Sequence, residues 1–228
     1  MVDFYELAGR DPDIRFSPFC WRVRMALAHK GVEANTIPWH FGEKELPEGL
    51  SAVPVLVDDG AVVADSTEIA LHLEDRYQNG PSLFGGDGGE VHARFIAAWA
   101  DTVLQPALLP ALALPILAQV KPEAVPYFRE SREARLGMSL EQAAEATEST
   151  LGNVRAALAP VRRVVKHAAF LGGEEPSYAD YAVFGAFQWA RCVGGPEMLA
   201  PDDPVHGWRE RMLDLFDGLA REAKTAET

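Results

Sequence analysis

Residues Arg15–Gly31 read RFSPFCWRVRMALAHKG. Ser17 is placed at a turn, and Pro18 follows it directly. A serine hydroxyl accepts from an orphan amide of a helix's first turn. Proline suits the first helical position, where its missing N–H is not needed. Phe19, Val23 and Leu27, with Met25 and Ala26 beside them, continue an apolar helical face. Gly31 closes it. The stretch therefore predicts a sharply started helix. Taken alone, Ser17 is a cap. Taken with the positive end of a helix, it is also an anion-binding position.

Outward from this helix the chain alternates. Val2–Ala8 reads as a strand, Val32–Ile37 as a second and Val53–Val57 as a third, with Pro38–Ala52 an irregular connection. Asp58-Asp59-Gly60 then predicts a tight hairpin turn into a strand over Ala61–Ala64. Asp65 and Glu68 stand at capping-box spacing before a helix that ends near Tyr77. The order β-α-β, β-β-α implies a small mixed sheet with helices on its faces. The Gly-rich stretch Asn79–Glu90, NGPSLFGGDGGE, is the best boundary. We therefore divide the chain into residues 1–80, a linker over 81–90 and an all-helical part over 91–228.

Beyond the linker no strand pattern recurs. Val91–Val120 is expected to be helical and bent at its prolines. Its longest apolar run, Ala107–Val120, is interrupted by Pro110 and Pro115 and is too short to span a bilayer as one helix. Further helices are expected over Pro122–Ala146 with a break at Gly137, over Ser149–His167, and over Pro204–Leu219. Tyr178–Cys192, YADYAVFGAFQWARC, is apolar on nearly every face and predicts a helix buried at the centre of a domain. Ser177 and Asp180 stand at its start with capping-box spacing.

Composition narrows the function. The 228 residues carry 34 acidic and 21 basic side chains, a formal charge of −13. That balance argues against a nucleic-acid or anionic-membrane partner, both of which need a basic surface. Two cysteines, Cys20 and Cys192, are no disulfide framework. The first residues show no basic stretch leading into an apolar one, so no secretory signal is expected. Together these point to the cytoplasm. The histidines show no metal-ligand spacing, and no metal is expected.

Four local features resemble the glutathione transferase superfamily: Ser17-Pro18-Phe19 at the first helix start, Val53-Pro54 before the third strand, Asp65-Ser66 at the next helix start, and Pro176-Ser177-Tyr178-Ala179-Asp180 before the core helix. The blocks FSPFCWRVRMALAHKG, FLGGEEPSYADYAVFGAFQWA and DDPVHGWRERMLDLFDGLAR are most similar to the β-etherase branch, which acts on lignin-derived aryl ethers. Cys20 departs from that branch. The resemblance implies a thioredoxin-like N-terminal domain, an all-helical second domain, glutathione as co-substrate and a homodimer.

It also implies roles. Ser17 would donate to the glutathione thiolate. Phe19 would lie beside it. Val53, with Pro54 in a cis bond, would pair with the tripeptide backbone, and Asp65 and Ser66 would hold its γ-glutamyl end. Trp39, His40 and Lys44 are candidate donors to its glycine carboxylate. Phe19, Trp99, Pro106, Tyr127 and Trp189 are candidates to line the pocket of a hydrophobic or aromatic electrophile. Two other readings remain open here, besides a glutathione-dependent dehalogenase, peroxidase or isomerase on the same scaffold. One is a thiol–disulfide reductase using Cys20, since S-x-x-C is half of a dithiol motif. The other is a glutathione-binding protein without turnover.

Overall fold

The computed structural model describes residues 1–43 and 45–226. Four strands form one sheet, in the order β2-β1-β3-β4: β1 (Val2–Leu7), β2 (Ala34–Trp39), β3 (Val55–Asp58) and β4 (Ala61–Ala64). β1 runs parallel to β2 and antiparallel to β3, and β3 runs antiparallel to β4. The hairpin forms as its sequence requires. Asp59 and Gly60 both take positive φ, the condition for a two-residue turn that matches strand twist. β2 and β3 each begin two residues later than their patterns suggest. For β3 the offset places Pro54, which has no amide to give a ladder, just outside the strand.

Helix α1 (Pro18–Lys30) covers one face of the sheet and packs on α2 (Ser66–Arg76). Its C-terminus closes at Gly31, in the left-handed conformation, as expected. The second half begins with α3 (Gly89–Trp99), whose first two residues fall within the stretch read as linker. A π-helical turn, Ala100–Leu104, joins α3 to α4 (Gln105–Gln119). The departure from regular geometry is thus this wide turn. It is not a break at Pro110 or Pro115, both of which stay inside α4.

Gly89–Gln119 forms one helical run of 31 residues. Contrary to the sequence expectation, it is long and apolar enough to cross a membrane by length and composition. Half of its most apolar window is buried within the protein, as in a core helix.

The remaining helices are α5 (Val125–Leu136), α6 (Leu140–Glu145), α7 (Thr147–Ala157), α8 (Ala159–Val165), α9 (Tyr178–Cys192) and α10 (Pro204–Gly218). The amphipathic segment expected as one helix over Ser149–His167 is two, parted at Leu158 ahead of Pro160, whose ring cannot continue a helix interior. In α10 the backbone leaves helical geometry at Leu215–Asp217.

The core helix α9 fulfils its pattern. Every residue from Tyr178 to Ala190 is buried. It packs on α1, and this contact joins the two halves of the molecule. Gly185 is what allows it. A Cβ there would stand 2.4 Å from the Pro18 carbonyl oxygen, so only glycine lets α9 come this close to the first turn of α1. The core helix of one half thereby supports the helix start of the other.

Candidate functional site

The Ser17 start is built as a receptor. Ser17 has extended backbone angles, and its Oγ accepts from the Cys20 amide at 3.2 Å. It is only 4% exposed, yet it lines a cavity. No acidic residue occupies the first turn of α1, so nothing there neutralises the positive helix end. Beyond the Cys20 thiol, which lies against it, the Ser17 hydroxyl hydrogen has no acceptor among the described residues.

The cavity measures about 450 Å³ and runs between the halves. From the N-terminal half come Ser17, Pro18, Phe19, Trp39, Phe41, Glu43 and Val53. From the helical half come Gln105, Leu109, Ile116, Tyr127, Phe128, Arg132, Arg135 and Trp189. Apolar and aromatic side chains dominate, with a few polar groups converging among them, as in small-molecule sites. The Trp39 Nε1 is a buried donor without a protein partner. The Val53–Pro54 bond is cis. Among the described residues no partner takes the Val53 N–H or C=O.

The expected residues divide. Ser17, Phe19, Trp39, Val53, Tyr127 and Trp189 meet in this one cavity. Trp99 and Pro106 do not line it. The face of α4 that reaches it is Gln105, Leu109 and Ile116, one position away from Pro106, and the π turn separates Trp99 from that face. Pro54 is represented there only through Val53. Asp65 and Ser66 also lie outside the lining. Asp65 caps α2, accepting from Thr67 N at 2.7 Å and Glu68 N at 3.2 Å, and it holds a positive φ of 74°. Ser66 is buried, with the Tyr178 hydroxyl of α9 against it and against Thr67. His40 is buried beside Glu43 and does not line the cavity. Lys44 lies outside the described residues.

Cys20 is not placed for redox work. It is 1% exposed, and its sulfur accepts from the Leu7 amide at 3.5 Å and lies against the Ser17 hydroxyl. Burial, with the charge of Glu6 adding to it, pushes its thiol up to about 12, although Ser17 and the Leu7 amide pull the other way. A covered, protonated thiol is a poor nucleophile. Cys192 is likewise buried, and burial pushes it to about 12. Among the described residues, no group of three His, Cys, Asp or Glu side chains is arranged to hold a metal ion.

Several cavity residues escaped sequence reasoning: Phe41, Gln105, Leu109, Ile116, Phe128, Arg132 and Arg135. One signal could have found three of them. Phe128, Arg132 and Arg135 follow at i, i+4 and i+7, which is one helix face led by a buried phenylalanine.

Residues 91–216 match the family of glutathione S-transferase C-terminal domains, which is more than half of the chain. The chain belongs to the glutathione S-transferases. Residues 12–82 match the N-terminal domain of the same family. The sheet and its helices are accordingly a thioredoxin-like domain followed by a helical one.

Among relatives, the zeta-class glutathione S-transferase of Euphorbia esula is 32% identical over 104 residues, covering 42% of this chain and 44% of that protein. A glutathione transferase of Zea mays is 35% identical over 100 residues, covering 41% and 45%. The chain thus spans less than half the length of these relatives. Among solved structures, a glutathione S-transferase of Ceriporiopsis subvermispora in complex with glutathione superposes with a TM-score of 0.79 at 24% identity, covering 99% of both chains. A glutathione transferase from Phanerochaete chrysosporium gives 0.74 at 22% identity, covering 100% of this chain and 98% of that one. These two likenesses speak to the fold.

Proposed function

We propose that this glutathione S-transferase family member is an active transferase that places glutathione along the thioredoxin-like wall and an apolar electrophile against the helical wall. One observation carries the reading: a serine hydroxyl at an uncompensated helix N-terminus opens into a cavity between the halves. Glutathione attacks only as its thiolate, so its thiol pKa must fall. A donated hydroxyl hydrogen and a helix end together supply about one to three units. Ser17 acts by donating and forms no covalent bond itself. Support comes from the names of the relatives and from the glutathione held by the C. subvermispora protein.

Among the described residues, the Val53 backbone and the Trp39 indole nitrogen are free polar groups on the tripeptide's side of the cavity. Asp65 and Ser66 are assigned to the γ-glutamyl end as part of the same proposal, Asp65 through its exposed carboxylate. In the reaction, the sulfur forms a bond to an electrophilic carbon. The bond from that carbon to its leaving group breaks, and the leaving group departs with the electron pair. For a β-aryl ether, the substrate the branch resemblance suggests, the leaving group is a phenolate that then takes a proton.

The burial of Cys20 favours this reading over a disulfide reductase. Turnover of a panel of β-aryl ethers and general electrophiles with glutathione tests both. Loss of rate in Ser17→Ala with rate retained in Cys20→Ala sustains the transferase. The reverse pattern assigns the site to a reductase, and no turnover by the wild-type protein removes the catalytic claim.

We also infer a two-fold dimer in the cytoplasm. Val91, Phe95 and Val103 leave apolar surface on the outer face of the α3 run, at 72%, 69% and 43% exposure. Light scattering that finds only monomer would overturn the dimer.

A further inference from the structure

The helical wall of the cavity carries two charges that the protein does not neutralise. Arg132 and Arg135 stand on α5, and both line the cavity. Among the described residues neither forms a salt bridge. On the same helix Arg129 is clamped by Glu133 and Glu141, each at 2.9 Å, so the helix is not short of carboxylates. Arg132 is instead laid over aromatic rings, 4.7 Å from the Phe128 centroid and 5.5 Å from that of Phe41. Among the described residues its one polar contact is NH1 to the Ser131 hydroxyl, at 3.0 Å.

Burial pulls the Arg132 guanidinium below its usual pKa; Tyr127 opposes this, and the charge of Arg135 adds to it. The one carboxylate among the lining residues is already committed. Glu43 accepts from the His40 amide and from Lys121, both at 3.0 Å. In a chain of net charge −13, this wall is locally cationic.

A part-buried cation without a counter-ion is costly. A guanidinium fork matches a carboxylate with two parallel hydrogen bonds. Between the fork and Ser17 the cavity is aromatic and apolar. We propose that the electrophile of this site is an aromatic acid, whose ring occupies the Tyr127–Phe128–Trp189 side of the cavity and whose carboxylate is received by Arg132, with Arg135 adding attraction. The proposal rests on the transferase reading and names its substrate class. The two carboxylates of glutathione are a weaker fit for Arg132, because the tripeptide is assigned to the opposite wall.

Paired electrophiles test it: 4-(bromomethyl)benzoic acid and its methyl ester, each losing bromide to the glutathione thiolate. The wild-type protein is expected to favour the acid in kcat/KM. In Arg132→Gln the acid-to-ester ratio is expected to fall about 10- to 100-fold, the range for losing a charge-assisted hydrogen bond. KM for glutathione is expected to move less than about twofold. Arg132→Lys, which keeps charge without the fork, is expected to fall between the two.

Equal losses for acid and ester, with a raised KM for glutathione, would assign Arg132 to the tripeptide and overturn the proposal. If the wild-type protein turns over neither compound, the transferase reading has failed. The carboxylate site is then read without glutathione, by calorimetry with 4-propylbenzoate and 4-propylbenzamide. Preference for the benzoate that disappears in Arg132→Gln sustains the site, and equal binding of the two overturns it.

Discussion

Three helices among the described residues are capped by a serine, α1 at Ser17, α6 at Ser139 and α9 at Ser177, and the two that pack together, α1 and α9, differ in what stands three residues later. At α9 the residue is Asp180, wholly buried. Its carboxylate accepts from the amides of Leu171 at 2.6 Å, Gly172 at 3.0 Å and Ser177 at 3.0 Å, from the Ser177 hydroxyl at 3.2 Å, and from Trp208 Nε1 at 2.9 Å. At α1 the residue is Cys20, which supplies no charge. The α9 start is therefore filled by its own side chain and acts as a joint in the core. The α1 start is left positive, with its serine turned to a cavity. One residue type at the third position decides between a structural seam and a receptor for an anion from outside.

Breaking the seam should have the largest effect. Asp180→Ala strands three amides and an indole N–H in the core, and is expected to cost about 3–5 kcal/mol in denaturant unfolding. A loss below about 1 kcal/mol would show that water replaces the carboxylate and that the two starts are alike. Ser17→Ala should do the converse. We expect roughly a 10- to 100-fold loss of turnover, as for removing a hydrogen bond to a charged group, with about 1 kcal/mol or less of stability, as for an ordinary cap. A stability loss matching that of Asp180→Ala would reduce Ser17 to a cap.

Gly185→Ala tests whether the joint holds the receptor in place. The added methyl meets the Pro18 carbonyl, so about 1–3 kcal/mol of overpacking is expected together with slower turnover. Unchanged kinetics would separate the two starts.

The smallest effect sharpens the scale. Asp203 caps α10 through the Val205 amide and is gripped by Arg162. Burial alone would raise its carboxyl. The Arg162 bond and the Val205 amide outweigh that and hold it below the usual value. A carboxyl depressed by folding stabilises fully above its unfolded pKa, near about pH 4, and the benefit is lost as pH falls through the folded value. Asp203→Asn should therefore be about 1 kcal/mol less stable at neutral pH, with the gap narrowing below about pH 4. A gap independent of pH would refute the charge-based part of this cap.

The sequence showed what local chemistry dictates. Ser17-Pro18, the Asp59-Gly60 turn, the Gly31 and Gly137 stops and the apolar run of α9 each carry their own signal. The cavity is different, because its walls meet only through long-range packing. Arg132 and Arg135 read as ordinary charges on a polar helix, and only the folded chain turns them inward. Cys20 gave a redox signal in S-x-x-C, while its burial against the Leu7 end of β1, near Glu6, is a tertiary fact. Trp99 and Pro106, seven apart, share a face on an uninterrupted helix, and the helix is interrupted between them.

That interruption reaches further than the two residues it displaced. A π turn holds more residues than an α turn, so it resets the rotation of α4 about its axis independently of α3. α3 meets α9, whereas α4 meets α6 and α7 and gives Leu109 and Ile116 to the cavity. Removing one residue from Ala100–Leu104 would turn one segment against the other by about 100°. The wide turn thus works as a phase shift along a single rod. It lets the outward face of α3 and the cavity face of α4 change sequence separately, although they belong to one continuous helix.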